Sequence, residues 1–344
     1  AAYLALNNFS AALRDYETAL GANTSDYAAL TGAAQAYLGL KNATAAVTAS
    51  EKAVAVKPAE KGGYLLLARA YELKPATATA MLVLSSAAVI FPADAEILLG
   101  MAQLAFDAGD FADAVARSSA ALAVVPDSEP AFYLRGKACF RLGDYACAID
   151  DIKKAVALRP KDVSAHVLLA QAYYLSGDMK SGSSETLTAL NIDYERTASK
   201  LSVLKSTVAA CGLNTALGTY ELNRLEPAKA KPWFDKAVAT SSGCWQAYGG
   251  RSQANRLARK FPAALTDITR AIALQGNDWE LYLERGKLYY ELRQNDKAYR
   301  DFVQAQRMNP SGAESYNYSG RMFLRVKMYG KAEEEFTKAL TLSA

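Results

Sequence analysis

Four prolines set a ruler along this chain. Pro58, Pro92, Pro126 and Pro160 stand 34 residues apart. Ala46, Ala80, Ala114 and Ala148 lie twelve residues before them, and Ala53, Ala87, Ala121 and Ala155 five before. Three columns in phase over four units are an internal repeat, and a period of this length calls for one supersecondary unit stacked on copies of itself. Residues 129–162 show what that unit is. Phe132, Gly136, Cys139 and Phe140 recur at helical spacing, and Ala148, Ile152 and Ala155 resume it further on. Between them the turn Leu142-Gly143-Asp144-Tyr145 offers a glycine to end one helix and an aspartate to cap the next. Pro160 closes the second helix, because proline cannot continue it. The small residues mark where two helices cross too closely for a larger side chain.

Numbered from its first residue, the unit carries Phe132 at position 4, Gly136 at 8, Cys139 at 11, Ala148 at 20, Ile152 at 24, Ala155 at 27 and Pro160 at 32. That pattern resembles the tetratricopeptide repeat. The ruler places repeats at 27–60, 61–94, 95–128, 129–162, 163–196, 211–244, 245–278, 279–312 and 313–344. Residues 1–26 read as the tail of an earlier one, with Tyr3, Phe9, Ala12, Tyr16 and Ala19 in phase. Departures are few. Tyr194, Ser242 and Gly276 replace the closing proline, Gly182 replaces the alanine at position 20, and Pro75 occupies a turn. The resemblance implies an all-α, right-handed solenoid of helix-turn-helix repeats. Residues 197–210, TASKLSVLKSTVAA, fall outside the count. They contain no Gly or Pro, and Leu201, Leu204 and Val208 recur at helical spacing, which predicts an inserted or extended helix. It divides an N-terminal block, 1–196, from a C-terminal block, 211–344. The chain opens inside one repeat and stops near the end of another without a polar capping helix. It is therefore expected to continue beyond one or both ends, or to meet partners there.

With 51% hydrophobic residues in 344, the chain has enough apolar surface for a large core. No run approaches the roughly 20 apolar residues that span a bilayer; AMLVLSSAAVIFP, at 80–92, is the most apolar window. The net charge of +4 argues against nucleic acid as a partner. It is distributed as −4 over 1–150, +3 over 151–244 and +5 over 245–344. No signal peptide is visible, and the compartment stays open between cytoplasmic and exported or lumenal.

In tetratricopeptide arrays the first helix of each repeat lines a concave groove, with positions 5, 9 and 12 facing it. At positions 5 and 12 the middle repeats place Leu99, Phe106, Tyr133, Phe140, Val167 and Tyr174, an apolar and aromatic floor. At position 9 they place Gln103, Lys137 and Gln171, whose amides and cation can register a peptide backbone. These nine residues are the expected peptide-binding groove. A carboxylate clamp of the chaperone-adaptor kind needs a basic residue at position 5 and Asn at 9, and neither occurs. The run ACFRLGDYACAIDDIKKAVAL, with AYYLSGD and LNIDYERTASKL, is also similar to the central repeats of lumenal co-chaperones that join such repeats to a J domain. Here four repeats follow the insertion instead of three, and the 344 residues hold no J domain. Exported repeat proteins and lipoproteins of bacteria match in style.

Chemistry is scarce. His166 is the one histidine, so HExxH and any two-histidine metal site are excluded. It falls at position 4, a packing position, and is read as a satisfied inter-helix histidine. There is no G-x-S-x-G elbow and no GxxxxGK[ST] loop. Cys139, Cys147, Cys211 and Cys244 lack CxxC spacing and are too sparse for a disulfide framework; a Cys211–Cys244 bridge requires Cα atoms within about 7 Å. Asp150-Asp151 and Glu333-Glu334-Glu335 read as solvated surface. Asn8, Asn23, Asn42 and Asn317 open glycosylation triplets, relevant only in a eukaryotic secretory compartment. No catalytic residue, cofactor or metal site is expected. The sequence points to a non-enzymatic scaffold that holds a peptide or protein segment. The alternatives are a structural subunit or homo-oligomer that meets partners through its ends or convex face, and the docking region of a larger enzyme or co-chaperone.

Overall fold

The computed structural model describes residues 2–74, 76–201 and 207–343. Among these the chain forms 21 helices and no strand, and no helix is long and apolar enough to cross a membrane. Two compact units, Ala1–Pro160 and Lys161–Ala344, divide it. The first holds α1 (Ala2–Ala5), α2 (Phe9–Ala22), α3 (Tyr27–Gly39), α4 (Ala43–Val56), α5 (Lys61–Leu73), α6 (Thr77–Ile90), α7 (Ala95–Asp107), α8 (Phe111–Val124), α9 (Glu129–Leu142) and α10 (Tyr145–Leu158). The second holds α11 (Val163–Ser176), α12 (Met179–Ile192), α13 (Tyr194–Leu201), α14 (Thr207–Asn223), α15 (Pro227–Thr240), α16 (Trp245–Leu257), α17 (Phe261–Leu274), α18 (Trp279–Glu291), α19 (Asn295–Met308), α20 (Ala313–Arg325) and α21 (Tyr329–Ser343). Within each unit the helices stack in chain order, partner pairs packing on the pairs beside them, as an all-α solenoid. The turn residue Pro75 lies outside the described residues. Of the segment 197–210, residues 197–201 end α13 and 207–210 begin α14, while 202–206 lie outside the described residues.

Local chemistry sets the helix boundaries. Asp144 Oδ1 accepts from the Cys147 N–H at 3.0 Å, and Asp110, Asp162 and Asp178 cap their helices likewise. The turn between paired helices requires a left-handed residue at position 15. Gly109, Gly143 and Gly177 supply it without strain, at φ 85°, 81° and 92°. Elsewhere the same place is taken by Lys41, Leu225, Arg259, Arg293 and Lys327 at φ 57–63°.

The core is built on one recurrent contact. The large side chain at position 24 of the second helix enters a slot opened by glycine on the first. A Cβ on Gly136 would lie 2.7 Å from Ile152, one on Gly286 2.5 Å from Phe302, and one on Gly320 2.7 Å from Phe336. Phe234 uses both sides, meeting Gly218 of its own repeat and Gly250 of the next. Around this core runs an ionic seam. Arg135, Arg251 and Arg285, each at position 7, make two-pronged bonds to Asp151, Asp267 and Asp301 at position 23, with N–O distances of 2.6–3.0 Å. Arg135 also reaches Ser119, and Arg251 reaches Asp235, both on the helix before. Arg135 and Arg251 thus tie three helices together, and Arg285 ties two.

The repeat 163–196 fills its core differently. Position 24 is Thr186 and position 20 is Gly182, leaving a gap that Tyr174 fills from the first helix. Its ring is fully buried, and a Cβ on Gly182 or Gly212 would collide with it. Thr186 Oγ1 donates to the Gly182 carbonyl at 2.9 Å, so it accepts from the Tyr174 hydroxyl, also at 2.9 Å.

The cysteines correct the sequence reading. Cys139 is bonded to Cys147 and Cys211 to Cys244, with Cα separations of 5.9 and 6.0 Å. The first bond joins the end of α9 to the start of α10, which the turn between them places side by side. The second joins the start and end of one whole repeat.

Two outcomes are expected. Leucine pays a steric penalty in the left-handed region, and Leu225 is 80% exposed, so Leu225→Gly is expected to raise stability by about 1 kcal/mol in urea unfolding. A lowered midpoint would show that the Leu225 side chain matters more than its backbone. Burial pushes the Tyr174 hydroxyl up to about 12, against the pull of its bonds to Thr186 and Ser183. Folded Tyr174 therefore keeps its proton between pH 10 and 12, where the unfolded chain has lost it. Stability should fall as pH rises through that window, by about 1 kcal/mol per pH unit. Tyr174→Phe is expected to flatten this alkaline slope while losing about 1 kcal/mol at pH 7; an unchanged slope would refute the assignment.

Candidate functional site

The nine residues of the expected groove fall in both units. In the first, α7 carries Leu99, Gln103 and Phe106, and the adjacent α9 carries Tyr133, Lys137 and Phe140. Phe106 is buried against Phe111, ring centroids 5.2 Å apart, and Lys137 Nζ lies 4.2 Å from its ring centre. Phe140 is half-buried and packs edge-on against Tyr145 at 5.8 Å. Position 12 therefore packs across the turn onto position 17 of its own repeat, and the Phe106 floor is covered by a cation. Gln103 Nε2 donates to Asp107 at 2.8 Å, and Leu99 and Tyr133 lie half-buried against Leu122 and Phe132. In the second unit, Val167 is buried against Leu190 and Leu213, Gln171 is half-buried, and Tyr174 is the core residue described above. Phe106, Val167 and Tyr174 are thus packing residues and offer no apolar floor.

A different part of the array is open. In the second unit, the first helices of successive repeats, α14, α16 and α18, together with α12, enclose a groove of about 440 Å³. Positions 5 and 9 do line it, with Thr215, Gly249 and Leu283 at 5 and Thr219, Gln253 and Lys287 at 9. Gly249 keeps its floor low, since a Cβ there would already stand 3.2 Å from Leu281. Trp245 and Trp279, each the first residue of its repeat, supply aromatic walls. The sequence reading passed over these residues because it weighed apolar character at positions 5 and 12. The usable signal was that two of the three tryptophans stand 34 residues apart at the mouth of the first helix.

The groove is polar as well as aromatic. Glu284 is held by Arg256 at 2.5 Å, both side chains largely buried, and Glu314 is held by Lys287 at 2.6 Å. Asp278 caps α18 by accepting from the Glu280 N–H at 2.9 Å. The Glu280 carboxyl is raised above the usual carboxylate range, first by the desolvation of the groove and then by repulsion from Asp278, with Lys180 pulling the other way.

Elsewhere the side chains are structural. His166 is buried with Nδ1 2.7 Å from Glu185 Oε2, an inter-helix contact at position 23, where three other repeats carry the arginine-bound Asp151, Asp267 and Asp301. Cys139, Cys147 and Asp151 come within 4.8 Å of one another, but the sulfurs are bonded together and Asp151 is taken by Arg135, so this donor set does not suit a metal.

No curated protein sequence matches the chain. Among solved structures, the C-terminal part of a TPR repeat-containing protein from Cytophaga hutchinsonii is similar over 72% of this chain and 96% of that one, at 14% identity and a TM-score of 0.51. The TPR domain of P58(IPK) is similar over 95% and 96%, at 17% identity and 0.38. YrrB, described as a TPR protein with an unusual peptide-binding site, is similar over 57% and 93%, at 18% identity and 0.35. These likenesses are of fold. The tetratricopeptide repeat family model matches residues 2–61, 99–163, 141–181 and 283–344. With its period, its paired helices and its glycine-slotted core, the chain belongs to the tetratricopeptide repeat family.

Proposed function

We propose that this chain is a non-enzymatic interaction scaffold whose groove on α14, α16 and α18 holds an extended peptide segment of a protein partner. Tetratricopeptide arrays serve generally as protein-interaction scaffolds, and the finer reading rests on the groove itself. Its volume of about 440 Å³ lies in the range of ligand sites, and it pairs aromatic walls with the amides of Gln246 and Gln253 and the hydroxyl of Thr219. Such groups satisfy a peptide backbone without demanding one sequence, while the tryptophans bury side chains. In the first unit, the half-buried Leu99, Gln103, Tyr133, Lys137 and Phe140 offer a further contact strip. Selection of random dodecapeptides on the intact chain tests the reading. Binders are expected, and Gly249→Phe, which fills the floor, should abolish them with the helical circular dichroism retained. Binding unaffected by Gly249→Phe would move the site elsewhere.

A second reading, assembly through an outer face, is favoured by α6. That helix has no charged residue, and Leu82 and Val89 are 68% and 82% exposed on it. Light scattering decides it. A mass that rises with concentration and reverts in the Leu82→Glu, Val89→Glu double variant supports assembly, and a constant monomer mass excludes it.

A further inference from the structure

Resting on the groove reading above, we propose that the groove on α14, α16 and α18 selects a peptide segment bearing a lysine or arginine, whose stem lies along Trp245 and Trp279 and whose cation meets the Glu280 carboxylate.

The charges of the groove make the case. Lys287 and Glu314 neutralise each other, and Glu284 is neutralised by Arg256. What remains is Asp278 and Glu280 against a single exposed cation, Lys180. Asp278 has a task, capping α18. The Glu280 carboxylate has no hydrogen-bond or ion-pair partner among the described residues, and Lys180 makes no ion pair with it. That carboxylate is solvent-exposed at the mouth of the groove, so it is free to form a charge-assisted hydrogen bond with an incoming cation. Indole faces are the strongest aromatic partners for a cation, and a lysine or arginine stem covers apolar surface on the way to its charge. An acidic segment would instead meet Asp278 and Glu280 with like charge. The occupant therefore differs in sign from one held by a clamp of lysines and arginines.

The test uses the intact chain and the dodecapeptides selected on it. The tightest peptide is synthesised, along with versions in which each lysine or arginine in turn is replaced by norleucine, and Kd is measured by tryptophan fluorescence. One replacement is expected to weaken binding about tenfold, as is Glu280→Gln, and the two together little more than either alone. Glu280→Lys should shift selection toward peptides with glutamate at that place. Glu280 is exposed at the start of α18, and the melting temperatures of both variants serve as the folding control. Peptides that need an open floor at Gly249 but are indifferent to norleucine and to Glu280→Gln would overturn the cation assignment and leave the groove reading standing. Failure to select any peptide that Gly249→Phe abolishes would overturn both.

Discussion

Everything in this molecule depends on how closely the two helices of a repeat can approach. In four repeats the position-24 side chain is large and enters a slot opened by a glycine on the first helix. Ile152, Phe234, Phe302 and Phe336 enter slots at Gly136, Gly218, Gly286 and Gly320, where an added methyl would stand well inside contact distance. The helix spacing set there decides whether an arginine at position 7 can reach an aspartate at position 23, as Arg135, Arg251 and Arg285 do. Those arginines stack on aromatics at position 4 as well, at 6.0, 5.4 and 5.5 Å for Phe132, Tyr248 and Tyr282. In these repeats the core and the ionic seam therefore rest on the same close approach of two helices.

Repeat proteins gain stability from nearest neighbours, and here the neighbours are joined by side chains as well as by apolar contact. Arg251 binds Asp267 in its own repeat and Asp235 in the one before. Burial opposes the charge of Asp235, but Lys231 and Arg251 together hold its carboxyl below the usual range. The Lys231–Asp235 pair of one repeat and the Arg251–Asp267 pair of the next are thus linked by the Arg251–Asp235 bond. In the Tyr174 repeat the bulk comes from the first helix and the glycine, Gly182, from the second, so the roles of the two helices are reversed.

The architecture was legible in the sequence because its constraint is periodic. Prolines, alanines and glycines recur in phase, and each has one physical reason to be where it is. The groove was less legible, for two reasons that Tyr174 and Gly249 illustrate. A tyrosine at position 12 reads as exposed unless Gly182 and Thr186, eight and twelve residues on, are seen as the space it fills. A glycine at position 5 reads as nothing, yet the missing side chain of Gly249 is what keeps the groove floor low. Of the disulfides, Cys211–Cys244 was open in the sequence pending its Cα distance, and Cys139–Cys147 was not legible. Cys139 and Cys147 meet across a turn, and Cys211 and Cys244 across a full repeat, so neither spacing matches a motif.

The second disulfide also bears on how the chain carries load. Cys211 and Cys244 are 33 residues apart in sequence but 6.0 Å apart at Cα, so the bond short-circuits the polypeptide between them. Tension applied along the chain passes from one sulfur to the other and bypasses residues 212–243. Cys244 immediately precedes Trp245, and Thr215 and Thr219 lie inside the bypassed loop. Force carried along the backbone therefore leaves Thr215 and Thr219 unloaded, and the repeats on either side would yield first.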